Sequence, residues 1–181
     1  AASDVYKRQS DITGVSRVLG QAAVAIDRFT EGDLQTQLLD RWTAGLARLL
    51  RGALAGGDHQ LAFAKALAAS VHGDQSAELV RGWLDDEEVP LGLEVDTELR
   101  WHLVIALARR GYADRALIDA ELQRDNTITG AERATAAISA LPQSDTKSET
   151  WQLVSNTPDV ANATHRLSLI HISEPTRLLS I

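Results

Sequence analysis

The 181-residue chain contains no cysteine and no methionine, and only 4% of its residues are aromatic. Without cysteine there is no disulfide, thiolate metal site or thiol nucleophile, a composition that fits a reducing compartment. No run approaches the roughly 18 apolar residues of a membrane span, and no basic segment precedes an apolar one as in a signal peptide. These absences predict a cytoplasmic protein that does not enter membranes.

The charge balance is acidic. Aspartate and glutamate number 25 against 18 lysines and arginines, which gives a net charge of −7. An acidic chain repels the phosphate backbone, so nucleic acid is not predicted as a partner.

We interpret the two ends of the chain as having a different origin from the rest. Back-translated, residues 1–9 and 167–181 resemble the two arms of a transposase-based sequencing adapter, in opposite orientations. We therefore expect both to be adapter-derived tails and residues 10–166 to be a fragment of the natural protein. His171 and Glu174 are then no metal site, and the apolar tail is no membrane anchor. The alternative is an ordinary disordered tail, which carries no function either.

What the chain has in abundance is alanine and leucine, without runs of β-branched residues, and this favours helix. Apolar residues recur at helical spacing from Val15 onward. Helix-starting residues precede or open these periods. The predicted helix starts are Val15, Asp33, Asp58, Asp74, Asp96, Ala113, Thr129 with Glu132 as a capping box, Ser144 and Pro158. No segment shows the alternation of a strand, so the predicted fold class is all-α with about nine helices.

The helices are joined by short loops, as in serial helical hairpins. Starts near residues 58, 96 and 129 recur at a spacing typical of helical repeats. The predicted architecture is an α-solenoid of the HEAT/armadillo-like kind. A regular up-down bundle is the alternative.

Familiar catalytic and metal-binding patterns are absent from the sequence. It contains no HExxH, no G-x-S-x-G, no phosphate-binding P-loop and no G-x-G-x-x-G. None of the helix-associated histidines has a second histidine four residues away; these are His59, His72, His102 and His165. We therefore predict no catalytic residue and no metal ligand in this chain.

Two other features are interpreted as structural. The acidic run Asp85–Glu88 lacks the alternating ligand spacing of a calcium loop, so we expect a solvated loop between helices. The tryptophans fall among helical apolar positions and are predicted to pack in the core. They are Trp42, Trp83, Trp101 and Trp151.

Three ordered blocks carry a family resemblance. They are G-L-x-V-D-T-E-L-R-W (Gly92 to Trp101), I-D-A-E-L-x-R-D-x-T-x-x-G (Ile118 to Gly130) and A-L-P…K-x-E-x-W (Ala140 to Trp151). Together with GQAAVAIDRF and DHQLAFAKALAAS upstream, they make nearly all of residues 14–166 resemble the C-terminal helical domain of bacterial, especially actinobacterial, aminopeptidase N.

The resemblance implies a function for the parent enzyme. Members of that family are zinc exopeptidases whose catalytic domain carries an HExxH helix, a downstream glutamate ligand and a G-x-M-E-N strand. This chain has none of these, so no catalytic residue carries over, and zinc is expected only in the absent catalytic domain. The C-terminal domain, related to that of the endoplasmic-reticulum aminopeptidases, is implied to close over the catalytic cleft and line the chamber, admitting peptides. The implied partners are that catalytic domain, within the same protein, and the peptide substrate.

Arg100 and Trp101 are the candidate chamber-lining residues within the matched block. A structural ion pair is the alternative for Arg100. Two other functions stay open from the residues alone. A free-standing scaffold for protein partners needs exposed apolar positions on one face. A helical-repeat lyase or other small enzyme needs a polar cluster in a groove.

Overall fold

The computed structural model describes residues 12–142, which form seven α-helices and contain no β-strand. The helices are α1 (Ile12–Phe29), α2 (Gly32–Gly52), α3 (Asp58–Ala69), α4 (Asp74–Leu84), α5 (Thr97–Arg109), α6 (Arg115–Arg124) and α7 (Ile128–Ala140). The prediction of an all-helical chain is confirmed for these residues, with seven helices instead of nine. The predicted eighth and ninth helices, and the tails 1–9 and 167–181, lie outside the described residues.

The chain divides into two compact units, and the division falls inside α5. The first unit runs to Leu99 and contains α1 to α4. The second begins at Arg100 and contains most of α5, together with α6 and α7.

In the first unit α3 is the central helix, since both α1 and α2 pack against it. Its buried face carries Ala64, Leu67 and Ala68, at the three- and four-residue spacing of one helix face. The core is completed by large apolar side chains of α2, α4 and the turn after α3. These are Leu46, Leu50, Val71, Val80, Trp83 and Leu84. Burying each leucine or valine contributes roughly 1.5–3 kcal/mol against leaving it in water.

In the second unit α6 packs against α7. Helix α7 buries mainly small residues, among them Ala134 and Ala137. Larger side chains of the core come from α5 and α6. They are Leu103, Val104, Leu107 and Ile118. A small-residue face allows neighbouring backbones to approach closely, so α7 contributes little side-chain volume to this core.

Helix starts follow the predicted signals to within three residues. Asp96 caps α5, because its Oδ1 accepts a hydrogen bond of 2.8 Å from the backbone N–H of Leu99. The prediction that Thr129 caps α7 is wrong, because Thr129 lies inside the helix. The N-cap is Thr127, whose Oγ1 accepts a hydrogen bond from the N–H of Gly130 at 3.0 Å.

The three other predicted caps are also corrected. Asp33, Asp58 and Asp74 lie in the first turns of α2, α3 and α4, and the N-cap positions belong to Glu31, Gly57 and Gly73. A carboxylate in the first turn still faces the positive end of the helix dipole. The acidic residue therefore marked each start correctly, through the dipole instead of through a capping hydrogen bond.

Two glycines allow turns that other residues would strain. Gly111 has φ +78 and closes α5 as predicted, with the N–H of Tyr112 donating to Leu107 O at 2.9 Å. Gly92 has φ +82, and a Cβ there would lie 2.6 Å from the Cβ of Ala55. The first glycine of the G-L-x-V-D-T block is thus required by close backbone packing. No helix in residues 12–142 has both the length and the apolar character needed to cross a bilayer.

Candidate functional site

The predicted pair Arg100 and Trp101 lies on α5, and both side chains are engaged in the second unit. Arg100 forms a two-pronged ion pair with Glu121 of α6, with Nε to Oε1 at 2.8 Å and Nη2 to Oε2 at 2.9 Å. The side chains are 11% and 4% exposed. The planar guanidinium matches both carboxylate oxygens, which is the geometry that best offsets the cost of burying two charges.

Trp101 is 1% exposed, and its indole N–H donates to Oδ2 of Asp125 at 2.7 Å. The other carboxylate oxygen of Asp125 accepts from the hydroxyl of Thr127 at 2.7 Å. That hydroxyl in turn accepts from the N–H of Gly130. A hydroxyl can donate once and accept as well, so one chain of hydrogen bonds connects α5 to the first turn of α7.

Gly130 is required in this arrangement because a side chain at this position would collide with Asp125. A Cβ at this position would lie 2.0 Å from the backbone oxygen of Asp125 and 2.8 Å from its carboxylate. The residues Glu121, Asp125, Thr127 and Gly130 are four of the fixed letters of the second sequence block. We name this set, with Arg100 and Trp101, the α5–α7 network.

The network gives the two predicted residues structural partners. Their role in lining a chamber stays a prediction, because it concerns the parent enzyme. The sequence offered no signal for Glu121, which lies 21 positions from Arg100 and outside any helical or strand spacing. Only the packing of α5 and α6 in one unit brings the two charges together.

A groove of about 840 Å³ lies in the first unit. Its lining comes from α2, α3, α4 and the loop after α4. The lining residues are Asp40, Thr43, Ala44, Ala47, Leu67, Gln75, Ser76, Glu78, Leu79, Gly82, Glu87 and Glu88. Four are carboxylates and none is basic, so the groove attracts positive charge and repels anions.

The acidic run predicted as a solvated loop is exposed from Asp85 to Glu88. Two of its residues, Asp86 and Glu88, have φ of 60 and 50, in the left-handed region. The N–H of Glu87 donates to Gly82 O at 2.7 Å, which closes α4. The run therefore ends a helix and also supplies two carboxylates to the groove.

The histidines of the described residues have separate surroundings. His59 faces the ring of Phe63 at a centroid distance of 6.3 Å, and His72 contacts Asp40. Within residues 12–142 no three histidine or carboxylate side chains are placed together as a metal site would need. The residues described do not fit the three-ligand zinc site of a metallopeptidase.

Comparisons with known proteins agree with the sequence blocks. The chain matches the family described as the ERAP1-like C-terminal domain over residues 2–179. It is 38% identical over 156 residues to aminopeptidase N of Streptomyces lividans. That match covers 86% of this chain and 18% of the Streptomyces protein.

The chain therefore belongs to the family of ERAP1-like C-terminal domains. Within that family it corresponds to the C-terminal domain of an actinobacterial aminopeptidase N, as the resemblance predicted. It spans less than a fifth of the length of the Streptomyces enzyme.

Proposed function

We propose that the parent of this chain is a zinc-dependent aminopeptidase that removes N-terminal residues from peptides in the cytoplasm. The similarity to a Streptomyces aminopeptidase N over 156 residues is the observation that carries this proposal. Zinc belongs to a catalytic domain outside this chain, where it activates the water that attacks the peptide bond. This chain itself contributes no catalytic residue.

The proposed role of the chain is to cap and line the substrate chamber. Helical hairpins arranged as an α-solenoid form a concave wall, and such a wall over a catalytic cleft admits chain ends while excluding folded proteins. The rigid α5–α7 network supports this role, since a wall must keep its shape when the enzyme opens and closes. The partners are then the catalytic domain of the same protein and the peptide.

A chimera tests the capping role. The chain would replace the corresponding segment of the Streptomyces enzyme, beside a version truncated before that segment. Both are expected to retain stoichiometric zinc. The chimera is expected to cleave an aminoacyl-peptide and to leave the N-terminus of a folded protein intact, whereas the truncated enzyme loses that discrimination or its peptide turnover. Equal activity and selectivity in both enzymes would refute the capping role.

A second experiment addresses the chain alone. The purified 181-residue chain is expected to be helical by circular dichroism, to bind no stoichiometric zinc and to release no aminoacyl chromophore. A free-standing scaffold, the alternative function, would also show no peptidase activity. The upstream reading frame distinguishes the two hypotheses, because for an aminopeptidase it must continue into HExxH and G-x-M-E-N.

A further inference from the structure

The side chain of His72 is held between two acceptors in the first unit. It lies in the turn between α3 and α4, and its side chain is 14% exposed. Ring atom Nδ1 is 3.0 Å from the backbone oxygen of Ser70, and Nε2 is 2.8 Å from Oδ1 of Asp40 on α2. Both distances are those of direct hydrogen bonds.

The protonation of the ring decides whether both contacts are favourable. A carbonyl oxygen and an ionised carboxylate only accept hydrogen bonds, and a neutral imidazole has a single N–H to donate. In the neutral ring, one nitrogen lone pair therefore faces an acceptor oxygen. The imidazolium donates from both nitrogens and also attracts the carboxylate.

We propose that His72 and Asp40 form a proton-dependent clasp that ties α2 to the turn between α3 and α4. Carboxylates ordinarily ionise near pH 4, and histidines ordinarily lose their proton near about pH 6.5. The clasp needs the protonated ring and the ionised carboxylate together, because only the imidazolium can donate to both oxygens.

The other charged groups near the clasp do not replace it. Asp40 is the one ionisable partner of His72 within ion-pairing distance in the described residues. Asp74 and Glu78 follow His72 in sequence on α4, and neither forms an ion pair with the ring in the described residues. On the other side, Arg41 follows Asp40 on α2 and opposes it, and Lys65 of α3 is paired with Glu98 at 2.6 Å.

A second set of hydrogen bonds also connects α2 to α3, so loss of the clasp has only a local effect. The indole N–H of Trp42 donates to Oγ of Ser70 at 2.9 Å, and that hydroxyl donates to Ala66 O at 2.7 Å. Neither bond involves a group that titrates between pH 4 and 9, so α2 stays attached to α3 when the clasp opens. Opening then releases one wall residue of the groove, since Asp40 lines it.

A double-mutant cycle on the full 181-residue chain tests the clasp. The variants are Asp40→Asn, His72→Gln and the double variant, unfolded with urea at pH 5.5 and pH 8.5. At pH 5.5 the two sites are expected to couple by about two- to fivefold in the unfolding equilibrium constant, the range of a partly exposed ion pair. At pH 8.5 the coupling is expected to vanish.

The pair Lys65 and Glu98 supplies the matched control. Lysine and glutamate side chains ordinarily carry their charges at both pH values, so the cycle with Lys65→Met and Glu98→Gln is expected to give the same coupling at each. Equal coupling of Asp40 and His72 at both pH values, or none at pH 5.5, would overturn the clasp. If a variant fails to fold, nitrogen NMR of the wild-type chain decides: a neutral His72 ring at pH 5.5 also overturns it.

Discussion

The two units contain ion pairs of similar length in different surroundings. In the first unit, Lys65 and Glu98 lie 2.6 Å apart with side chains 26% and 61% exposed. The second unit holds Arg100 and Glu121 at 2.8 Å with 11% and 4% exposed. Water solvates the first pair whether or not it forms, whereas the second pair is largely removed from water and depends on protein groups to replace it. The first unit therefore depends mainly on apolar packing, and the second also depends on polar partners that must all be present.

The buried pair gives the largest expected effect. Glu121→Gln removes the carboxylate that pairs with the buried Arg100 guanidinium and is expected to lower the free energy of unfolding by about 3–5 kcal/mol. Glu98→Gln, on the exposed pair, is expected to cost less than about 1 kcal/mol. Urea unfolding followed by circular dichroism measures both. Similar losses in the two variants would remove the distinction between the units.

Gly130 gives the next largest effect. Gly130→Ala places a Cβ against the backbone of Asp125, so the start of α7 must move and its capping bond from Thr127 is strained. The expected loss is about 3 kcal/mol, at the upper end for overpacking. Thermal unfolding and the helix content of the variant test this. An unchanged midpoint would mean that the turn before α7 moves freely.

Two buried tryptophans separate hydrogen bonding from packing. Trp101 and Trp83 are each 1% exposed, but the indole N–H of Trp83 has no hydrogen-bond partner in the described residues. Trp101→Phe loses volume and the bond to Asp125, while Trp83→Phe loses volume alone. The loss of stability is expected to be about 1.5 kcal/mol greater for Trp101→Phe, the value of a hydrogen bond to a charged group. Equal losses in urea unfolding would show that Asp125 contributes nothing to holding α5.

The smallest effect is a gain in the first unit. Gly45 lies within α2, and a Cβ there meets no atom within 4 Å. Gly45→Ala is expected to raise stability by about 0.5–1 kcal/mol through helix propensity. Substitution of glycine by alanine is thus expected to raise stability at Gly45 and to lower it at Gly130. Thermal unfolding of the two variants measures this difference. Destabilisation at Gly45 would contradict the open space around this position of α2.

Local signals predicted the helices well and the partners poorly. The capping aspartate of α5 and the closing glycine after it were read directly, because both act within a few residues. Thr127 was missed in favour of Thr129, since each stands before a plausible first turn and only Asp125 decides between them. Nothing local indicated that Asp40 meets His72, 32 positions away.

The sequence by itself determined the helical class, the order of the helices and the family, because helix propensity, apolar spacing and ordered blocks are properties of neighbouring residues. Only the tertiary structure decided what the block residues do. Glu121 of α6 pairs with Arg100, and Asp125, just after α6, bonds Trp101 and lies against Gly130. Their roles depend on which helices pack together in the second unit, where a buried charge, a buried indole and a missing side chain each need a partner from elsewhere in the chain.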